Sequence, residues 1–367
     1  MFDLNKILRN NIKNLIPYSS ARNEFKGREG IFLNANENPF GSPLSENYNR
    51  YPDPLQLNLK EKISKIKNIH VENIFIGNGS DEAIDILFRA FCNPGKDNVI
   101  ICPPTYGMYE VSANINDIEV RKVNLLYNFQ LDVNSIISAI DDKTKLIFIC
   151  SPNNPTGNSL NGKDVEYLLK TFDGIIVVDE AYINFSKEKS FANDLRDYPN
   201  LVVLQTFSKA WGMAGLRVGM AFASGVIVDV FNKIKPPYNV NSVSQKLALE
   251  ALNNINVVDE WVKQIVAERE RMSVELAKLP FVIKVYSSDA NFILLKTIDA
   301  NEIYNYLLAN KIIIRNRSNI TMCEGCLRIT IGTKEENKII IDKLKQYKNE
   351  ESFIYRPRRD LALGAAG

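Results

Sequence analysis

The chain has 367 residues, of which 45% are hydrophobic and 24% are charged. This is the composition of an ordinary globular protein with about two domains. A net charge of +2 is too small to favour nucleic acid or a membrane surface as a partner. The five cysteines are scattered and odd in number, which argues against a disulfide framework. The N-terminus lacks an apolar signal segment, so we expect a cytoplasmic protein.

The sequence contains a single histidine, His70, and this limits the possible chemistry. One histidine excludes a multi-histidine metal site, and a Ser-His-Asp hydrolase would have to use His70 itself. We interpret His70 as a surface or loop residue. The CxxC pair of Cys323 and Cys326 has neither a second pair nor a histidine, so we expect no metal site. The chemistry must therefore depend on lysine, tyrosine, aspartate, arginine or a cofactor.

The first part of the chain predicts an N-terminal arm followed by alternating helices and strands. About 30 residues form a polar helix and the arm. The apolar positions of 81–91 have helical spacing. Continuous apolar runs typical of strands buried on both faces follow at 97–102, 145–150, 174–179 and 201–205. This alternation predicts an α/β fold with a large, doubly wound, mostly parallel sheet.

Past residue 245 the pattern changes to that of a smaller α+β domain. A long amphipathic helical region is predicted from about Ser244 to Lys278, and one further helix near 300–310. The predicted strands lie at 281–286, 291–296, 312–315 and 326–332. The expected organisation is an arm that contributes to the small domain (1–44), a large domain (45–245), a small domain (246–350) and a tail outside the fold (351–367).

A lysine follows the predicted strand 201–205, in the segment TFSKAWGMAGLRVG (206–219). Ligands of open α/β sheets bind beyond the carboxyl ends of strands, where Lys209 is expected to lie. Such a lysine can form a Schiff base with a carbonyl cofactor if the pKa of its amine is lowered. Arg217 would lower that pKa by like-charge repulsion, and it could bind a phosphate. The alternative is a surface lysine at the start of a helix.

Two more segments place polar side chains at strand ends. Asp179, in VVDEAYINF (177–185), could pair with a protonated pyridine nitrogen, and Tyr182 could donate to the phenolic oxygen of the same ring. The alternative for Asp179 is a helix N-cap. In CSPNNPTG (150–157), turn-forming residues would hold Asn154 rigidly with its amide free to donate. The alternative there is an ordinary loop.

The segment GNGSDEAI (77–84) places glycines before a helix whose first turn carries Ser80 and Asp81. Free N–H groups at a helix N-terminus bind phosphate. The spacing matches neither a dinucleotide-binding nor a P-loop motif. A capping box formed by Ser80 is the alternative, and it is compatible with phosphate binding. Downstream, Tyr106 in PPTYGMYE (103–110) could stack on a cofactor ring or pack as a loop residue.

An arginine lies within the predicted strand of GCLRITIGT (325–333). A buried arginine requires a partner, and a substrate carboxylate bound by both nitrogens of Arg328 would be one. Arg315, in IIIRNRS (312–318), is a second such arginine about one strand away.

These motifs, in this order, resemble the fold-type I aminotransferases that depend on pyridoxal 5′-phosphate, and the similarity covers about residues 10–347. Within their class II subfamily, the chain is most similar to the histidinol-phosphate aminotransferases. The features that carry this closer resemblance are NLIPYSSAR (14–22), LNANENPFG (33–41), NRYPDP (49–54), RAFCNPGKDNVIICPPTYGMY (89–109) and GCLRITIGT.

The resemblance implies a role for each matching residue. Lys209 would carry the cofactor and shuttle the proton, with Asp179 and Tyr182 as the other catalytic residues. The implied cofactor contacts are Gly79, Ser80, Asp81, Tyr106, Asn154, Asp179, Tyr182, Thr206, Ser208, Lys209, Arg217 and Tyr51 of the partner subunit, which makes the expected assembly a homodimer with shared sites. The implied substrate contacts are Tyr18, Asn36, Tyr238, Asn239, Arg315 and Arg328.

The implied reaction is transamination between L-histidinol phosphate and 2-oxoglutarate, giving imidazole-acetol phosphate and glutamate in histidine biosynthesis. The expected partners are therefore small molecules. Two alternatives share the fold, an aromatic amino-acid aminotransferase and a threonine-phosphate decarboxylase. A third, of another class, is a non-catalytic binding or regulatory protein, against which the presence of Lys209, Asp179 and Arg328 argues.

Overall fold

A computed structural model of the chain describes residues 2–19, 21 and 30–347. The strands are β1 Ile74–Asn78, β2 Asn98–Ile101, β3 Glu119–Lys122, β4 Thr144–Cys150, β5 Ile175–Asp179, β6 Leu201–Thr206, β7 Val218–Ala223, β8 Val282–Val285, β9 Phe292–Thr297, β10 Arg315–Asn316 and β11 Cys326–Thr330. The α-helices are α1 Leu4–Ile7, α2 Asn10–Lys13, α3 Leu57–Lys67, α4 Gly79–Phe91, α5 Met108–Ile115, α6 Val133–Ala139, α7 Gly162–Thr171, α8 Gly225–Ile234, α9 Ser242–Ala251, α10 Ile255–Ala277, α11 Ala300–Ala309 and α12 Lys334–Gln346.

The larger sheet has seven strands in the order β1-β7-β6-β5-β4-β2-β3. The pairs among β2 to β6 are parallel, while β7 is antiparallel to both of its neighbours. Apolar side chains of α4, α5 and α8 pack on one face, and those of α3, α6, α7 and α9 pack on the other. The predicted doubly wound, mostly parallel α/β sheet is therefore confirmed, and its central strands are apolar because both faces are covered.

The four strands predicted for this sheet are confirmed as β2, β4, β5 and β6. Three further strands, β1, β3 and β7, were not predicted. The edge strand β3 has the sequence EVRK and no buried residue, so it has no apolar pattern to detect. β7 lies in a continuous apolar stretch, and the hydrophobic pattern of such a stretch does not distinguish a strand from a helix. The predicted helix 81–91 begins two residues earlier, at Gly79.

The smaller sheet is antiparallel, in the order β10-β11-β9-β8, and α10, α11 and α12 contribute to the core packed against it. The helical region predicted from about Ser244 to Lys278 is present as α9 and α10, which are separated by a 3₁₀ turn at Leu252–Asn254. Asparagines at 253 and 254 favour such a break, since their side chains compete with helical hydrogen bonds. The strand predicted at 326–332 ends at Thr330.

The N-terminal arm contains α1 and α2, each one turn long, in place of the predicted polar helix. Ile12 is the buried residue of α2 and contacts the core shared with α4 and α8. The domain boundaries at 44, 245 and 350 stay a prediction, and the tail 351–367 lies outside the described residues. Within the described part of the chain, no helix combines the length and apolarity needed to cross a membrane.

Candidate active site

A cleft of about 980 Å³ lies where the carboxyl ends of the parallel strands meet the smaller sheet. Asp289 joins the two sides, because its Oδ2 accepts from the Ser159 N–H at 2.9 Å and its own N–H donates to the Gly157 carbonyl at 2.7 Å. The predicted site residues that line the cleft are Gly79, Ser80, Asp81, Tyr106, Asn154, Asp179, Tyr182, Thr206, Ser208, Lys209, Arg217, Arg315 and Arg328. The cleft lies at the edge of the sheet where ligands of α/β folds bind.

Asp179 is the last residue of β5 and is only 3% exposed. Its Oδ2 accepts from the Tyr109 hydroxyl at 2.7 Å, and its Oδ1 accepts from the Ala181 N–H at 3.1 Å. Burial raises the pKa of this carboxyl group, whereas the two hydrogen bonds lower it. The N-cap alternative is wrong, because the next helical turn, Ile183–Phe185, has Tyr182 at its N-cap. Asp179 is thus a buried carboxyl group whose orientation is fixed by two hydrogen bonds, and it could pair with a cationic ring nitrogen.

Tyr109 is a residue of this site that the sequence analysis missed. It is fully buried in α5, and its ring stacks on Phe148 at 4.8 Å. Burial and the neighbouring Asp179 raise the pKa of its hydroxyl well above the ordinary value, so the hydroxyl stays protonated and donates. Tyr109 comes three residues after Tyr106, a spacing that places two side chains on one side of a helix, and this was the available signal.

Lys209 lies in the turn after β6 and is open to the cleft. Its Nζ is 5.4 Å from the centre of the Tyr182 ring. Partial burial lowers the pKa of the amine, and the charge of Arg328 lowers it further. Arg217 acts in the predicted direction but contributes less than Arg328. The amine is therefore more easily deprotonated than an ordinary lysine, as a nucleophile and proton carrier requires.

The segment before α4 and the segment before β7 are tied together. Gly79 has a φ of +71° and donates its N–H to the Arg217 carbonyl at 2.8 Å. Arg217 itself has a φ of +54°, an uncommon conformation for a residue with a side chain. Its Nη2 lies 3.3 Å from Asp81 Oδ2 and its Nη1 lies 3.4 Å from Ser208 Oγ. These contacts fix the guanidinium of Arg217 between Asp81 and Ser208, and Arg217 lines the cleft.

The N-terminus of α4 is available to an anion. The capping box predicted for Ser80 is wrong, because Asn78 is the N-cap and its N–H donates to Glu82 Oε2 at 2.6 Å. Within the described ranges the Ser80 hydroxyl has no hydrogen-bond partner. A free hydroxyl, the first N–H groups of a 13-residue helix and the nearby Arg217 together match a phosphate group.

Three more side chains line the cleft together with Lys209 and Asp179. Asn154 Oδ1 accepts from Arg328 Nη1 at 2.5 Å, which leaves its Nδ2 without an acceptor among the described residues. Tyr182 is 6% exposed and makes an edge contact with Phe292. Tyr106 donates its hydroxyl to Asp81 Oδ1 at 3.2 Å. Asn154 and Tyr182 can therefore donate to a ring oxygen, and Tyr106 offers an aromatic face.

Thr206 and Ser208 complete the turn that carries the lysine. The Thr206 hydroxyl accepts from the Ser208 N–H at 3.0 Å and donates to the Val218 carbonyl at 3.4 Å. These bonds connect the end of β6 to β7 and fix the start of the turn.

Arginines form the opposite wall of the cleft. The pairing of β10 with β11 places Arg315 directly opposite Arg328. Arg317 also lines the cleft, although the sequence analysis did not select it. Burial, together with Arg328 and Arg315, lowers the pKa of Arg317 to about 10. Its position two residues after Arg315 was the available signal, since alternate residues of a strand share a face.

Five predicted residues do not line the cleft of their own chain, namely Tyr18, Asn36, Tyr51, Tyr238 and Asn239. Tyr51 stacks on Tyr238 with ring centres 4.4 Å apart. Asn239 donates to the Ile76 carbonyl and to Glu82 Oε2, both at 3.0 Å. The roles assigned to these five residues stay predictions. His70 is exposed next to a short 3₁₀ turn, in agreement with its interpretation as a surface residue.

The family model described as Aminotransferase class I and II matches residues 28–344. The chain belongs to this aminotransferase family. The Cytophaga hutchinsonii histidinol-phosphate aminotransferase is 58% identical over 94% of this chain and 99% of its own length. The Parabacteroides distasonis protein of the same name is 52% identical over 95% of this chain and 100% of its own length. A crystal structure of the Clostridium acetobutylicum enzyme matches with a TM-score of 0.75 and 29% identity, over 82% of this chain and 90% of that one.

Aminotransferases of this family use pyridoxal 5′-phosphate, and the residues present in the cleft fit this cofactor. The buried carboxylate of Asp179 suits the pyridine nitrogen, and the unpaired Nδ2 of Asn154 suits the ring oxygen. The free hydroxyl of Ser80 and the guanidinium of Arg217 suit the phosphate. Among the described residues, no cluster of histidine, cysteine, aspartate or glutamate side chains is arranged to hold a metal ion.

Proposed function

We propose that this aminotransferase transfers an amino group between L-histidinol phosphate and 2-oxoglutarate, giving imidazole-acetol phosphate and glutamate in histidine biosynthesis. The observation that carries the proposal is the 58% identity, over nearly the whole length of both chains, to a histidinol-phosphate aminotransferase. The geometry supports it, because one cleft combines a lysine of lowered pKa with a wall of arginines suited to an anionic substrate.

The large-sheet side of the cleft would hold the cofactor. Asp179 would keep a negative charge at the pyridine nitrogen, and Asn154 and Tyr182 would donate to the ring oxygen. Tyr106 would stack on the ring. The residues that would surround the phosphate are Gly79, Ser80, Asp81, Thr206, Ser208 and Arg217. When bound, pyridoxal 5′-phosphate supplies an aldehyde that accepts the amine and a conjugated ring that withdraws electrons from the substrate α-carbon.

Lys209 and Arg328 would act on the substrate. Arg328 would bind the α-carboxylate of glutamate through two parallel hydrogen bonds and so orient the α-carbon. The Nζ of Lys209, once free, would remove the proton from the α-carbon and hold it for the next transfer. Because both half-reactions use the same cleft, the enzyme would follow ping-pong kinetics.

The active unit would be a homodimer in which Tyr51 of the partner subunit contributes to the phosphate site. Several large apolar side chains in the described parts of 15–57 are exposed, among them Ile31 at 92% and Phe40 at 97%. Apolar side chains concentrated in this way favour a protein interface. Tyr51, half exposed and stacked on Tyr238, does not line the cleft of its own chain, which is compatible with a role in the neighbouring site.

Mixing two defective variants would test the shared site. Tyr51→Phe and Lys209→Ala homodimers would each be impaired. A hybrid dimer of the two would contain one site with both defects and one site with neither, so mixing should restore activity. No recovery in a mixture that mass spectrometry shows to contain hybrids would contradict the shared site.

We place the enzyme in the cytoplasm. All five cysteines are free thiols, the state that a reducing compartment maintains. Fractionation of the native cells with an antibody against the chain would test this location.

The proposed reaction can be tested with glutamate as amino donor and two competing acceptors. Imidazole-acetol phosphate should be used with a much higher kcat/KM than phenylpyruvate. A preference for phenylpyruvate would identify an aromatic amino-acid aminotransferase instead. Release of CO₂ from threonine phosphate would identify a decarboxylase, and a cofactor absorption band unchanged by glutamate would indicate a non-catalytic protein.

A further inference from the structure

The small-sheet wall of the cleft contains three arginines on one stretch of sheet. Arg315 and Arg328 are directly opposite each other on β10 and β11, an arrangement in which like charges repel. The Arg317 N–H donates to the Cys326 carbonyl at 2.9 Å, so Arg317 continues this pairing beyond β10. Because Arg317 comes two residues after Arg315, both side chains leave the sheet on the same side.

These three arginines have no carboxylate partner within residues 2–19, 21 and 30–347. The carboxylates that line the cleft are engaged elsewhere, since Asp81 pairs with Arg217 and Glu110 pairs with Lys122 at 2.6 Å. The third, Asp179, accepts from Tyr109. The cleft therefore has an excess of positive charge on this wall.

The Arg317 side chain contains a buried polar atom without a partner. Its Nε is inaccessible to solvent and makes no hydrogen bond, and the same is true of the Nε of Arg328. Burying a guanidinium without a partner is unfavourable, and a second and third positive charge nearby make it more so. An anionic ligand that binds in the cleft would relieve both effects.

The charges of the two substrates differ. Glutamate presents an α-carboxylate and a side-chain carboxylate, each with a single charge, and Arg328, which already contacts Asn154, can bind one of them. Histidinol phosphate has no carboxylate, so its phosphate monoester is the anionic group that it presents to this wall. A phosphate monoester presents nearly two charges at neutral pH and three oxygens, which can accept from two guanidinium groups at once. Arg315 and Arg317, which both line the cleft, together match such a group.

We propose that Arg317 is a specificity-determining residue whose guanidinium, together with that of Arg315, binds the phosphate group of the phosphorylated substrate. It distinguishes a phosphate monoester from the side-chain carboxylate of glutamate. The inference rests on the proposed function for the identity of that substrate.

Three variants test the proposal in the holoenzyme. Arg317→Gln removes the charge, and Arg317→Lys keeps the charge but not the planar fork. Lys338→Gln removes a positive charge from an exposed position of α12 that does not line the cleft, and is the matched control. Each half-reaction is followed separately in single turnovers with histidinol phosphate, with unphosphorylated histidinol and with glutamate.

For Arg317→Gln, the ratio of the maximum single-turnover rate to Kd with histidinol phosphate should fall about 30-fold, mostly through Kd, as expected for a lost charge-assisted hydrogen bond. The fall with glutamate and with histidinol should be much smaller. Arg317→Lys should recover part of the loss. Inorganic phosphate, used as a competitive inhibitor against glutamate, should bind more weakly to Arg317→Gln than to Lys338→Gln.

An equal fall with all three substrates would show that Arg317 supports the structure only, and unchanged kinetics would show that it does not contact the substrate. Either result overturns the proposal. If the unmodified enzyme itself does not prefer histidinol phosphate to histidinol, the proposed function fails instead. The inorganic phosphate measurement then still decides whether Arg317 binds phosphate.

Discussion

The two walls of the cleft differ in whether their charged side chains have partners within the protein. On the large-sheet wall, Arg217 is held by Asp81 and Ser208, and Asp179 is held by Tyr109. On the small-sheet wall, Arg315, Arg317 and Arg328 have no carboxylate partner among the described residues. Groups already fixed by neighbours are preorganised for a ligand that stays bound. Arginines without a carboxylate partner suit ligands that enter and leave, because each arriving anion supplies the missing negative charge.

Because of this difference, we expect substitutions on the two walls to have different kinetic effects. A change on the large-sheet wall should reduce every half-reaction to a similar extent, since all of them depend on the cofactor. A change on the small-sheet wall should act through substrate binding.

The largest effect is expected for Lys209→Ala. The variant loses both the amine that carries the cofactor and the group that moves the α-proton, so both half-reactions should slow by about 10³-fold or more. Stopped-flow absorbance with either amino donor measures this. Lys209→Arg, which keeps the positive charge, should be equally impaired. A variant with near-normal rates would show that the chemistry lies elsewhere.

The next effect is expected for Arg328→Gln, on the other wall. Because the variant loses a carboxylate-binding guanidinium, kcat/KM for glutamate should fall by about 50-fold. It also loses a charge that lowers the pKa of Lys209, so that pKa should rise. Recombination of cofactor-free enzyme with pyridoxal 5′-phosphate needs the neutral amine, and its rate profile should therefore move to higher pH. An unshifted profile would contradict the electrostatic link between the two walls.

A third prediction concerns the backbone that holds the large-sheet wall in place. A Cβ at Gly219 would lie 2.2 Å from the carbonyl carbon of Gly79 and from the amide nitrogen of Ser80. Gly219→Ala should therefore destabilise the fold by about 2 kcal/mol, as expected for overpacking against backbone. Urea unfolding measures the change. Gly107→Ala, where the added Cβ meets no atom within 4 Å, is the matched control and should be close to neutral.

The smallest effect is expected for Tyr109→Phe, which removes one hydrogen bond from Asp179. The turnover should fall only about fivefold, and for all substrates alike. This bond lowers the pKa of Asp179, so its loss raises that pKa further. Activity requires the ionised carboxylate, and it should therefore be lost at a higher pH as the solution is acidified. The pH profile of kcat distinguishes this from a structural defect, which would lower the rate without moving the acid limb.

Much of the large-sheet wall could be predicted from the sequence. Lys209, Asp179 and Asn154 each follow an apolar run that is a strand, and parallel strands bring such positions to one edge. Tyr109 and Arg317 could not be selected in the same way. Tyr109 lies in a helix and Arg317 follows a short strand, and apart from their spacing from neighbouring site residues nothing in the sequence distinguishes them from other residues of their types. Their importance follows from the tertiary structure, which brings Tyr109 against the buried Asp179 and Arg317 close to the other arginines.

The sequence by itself determined the α/β class, the order of the central strands along the chain and many of the residues that line the cleft, because apolar periodicity and turn-forming residues act locally. Only the tertiary structure decided the antiparallel placement of β7, the break between α9 and α10, and which charges in the cleft have partners. Pairing of charges depends on distances between segments far apart in the chain. Asp81 and Arg217 are separated by 136 residues but lie 3.3 Å apart, whereas Arg315 and Arg328, on adjacent strands, have no carboxylate partner in the part of the chain that the structure describes.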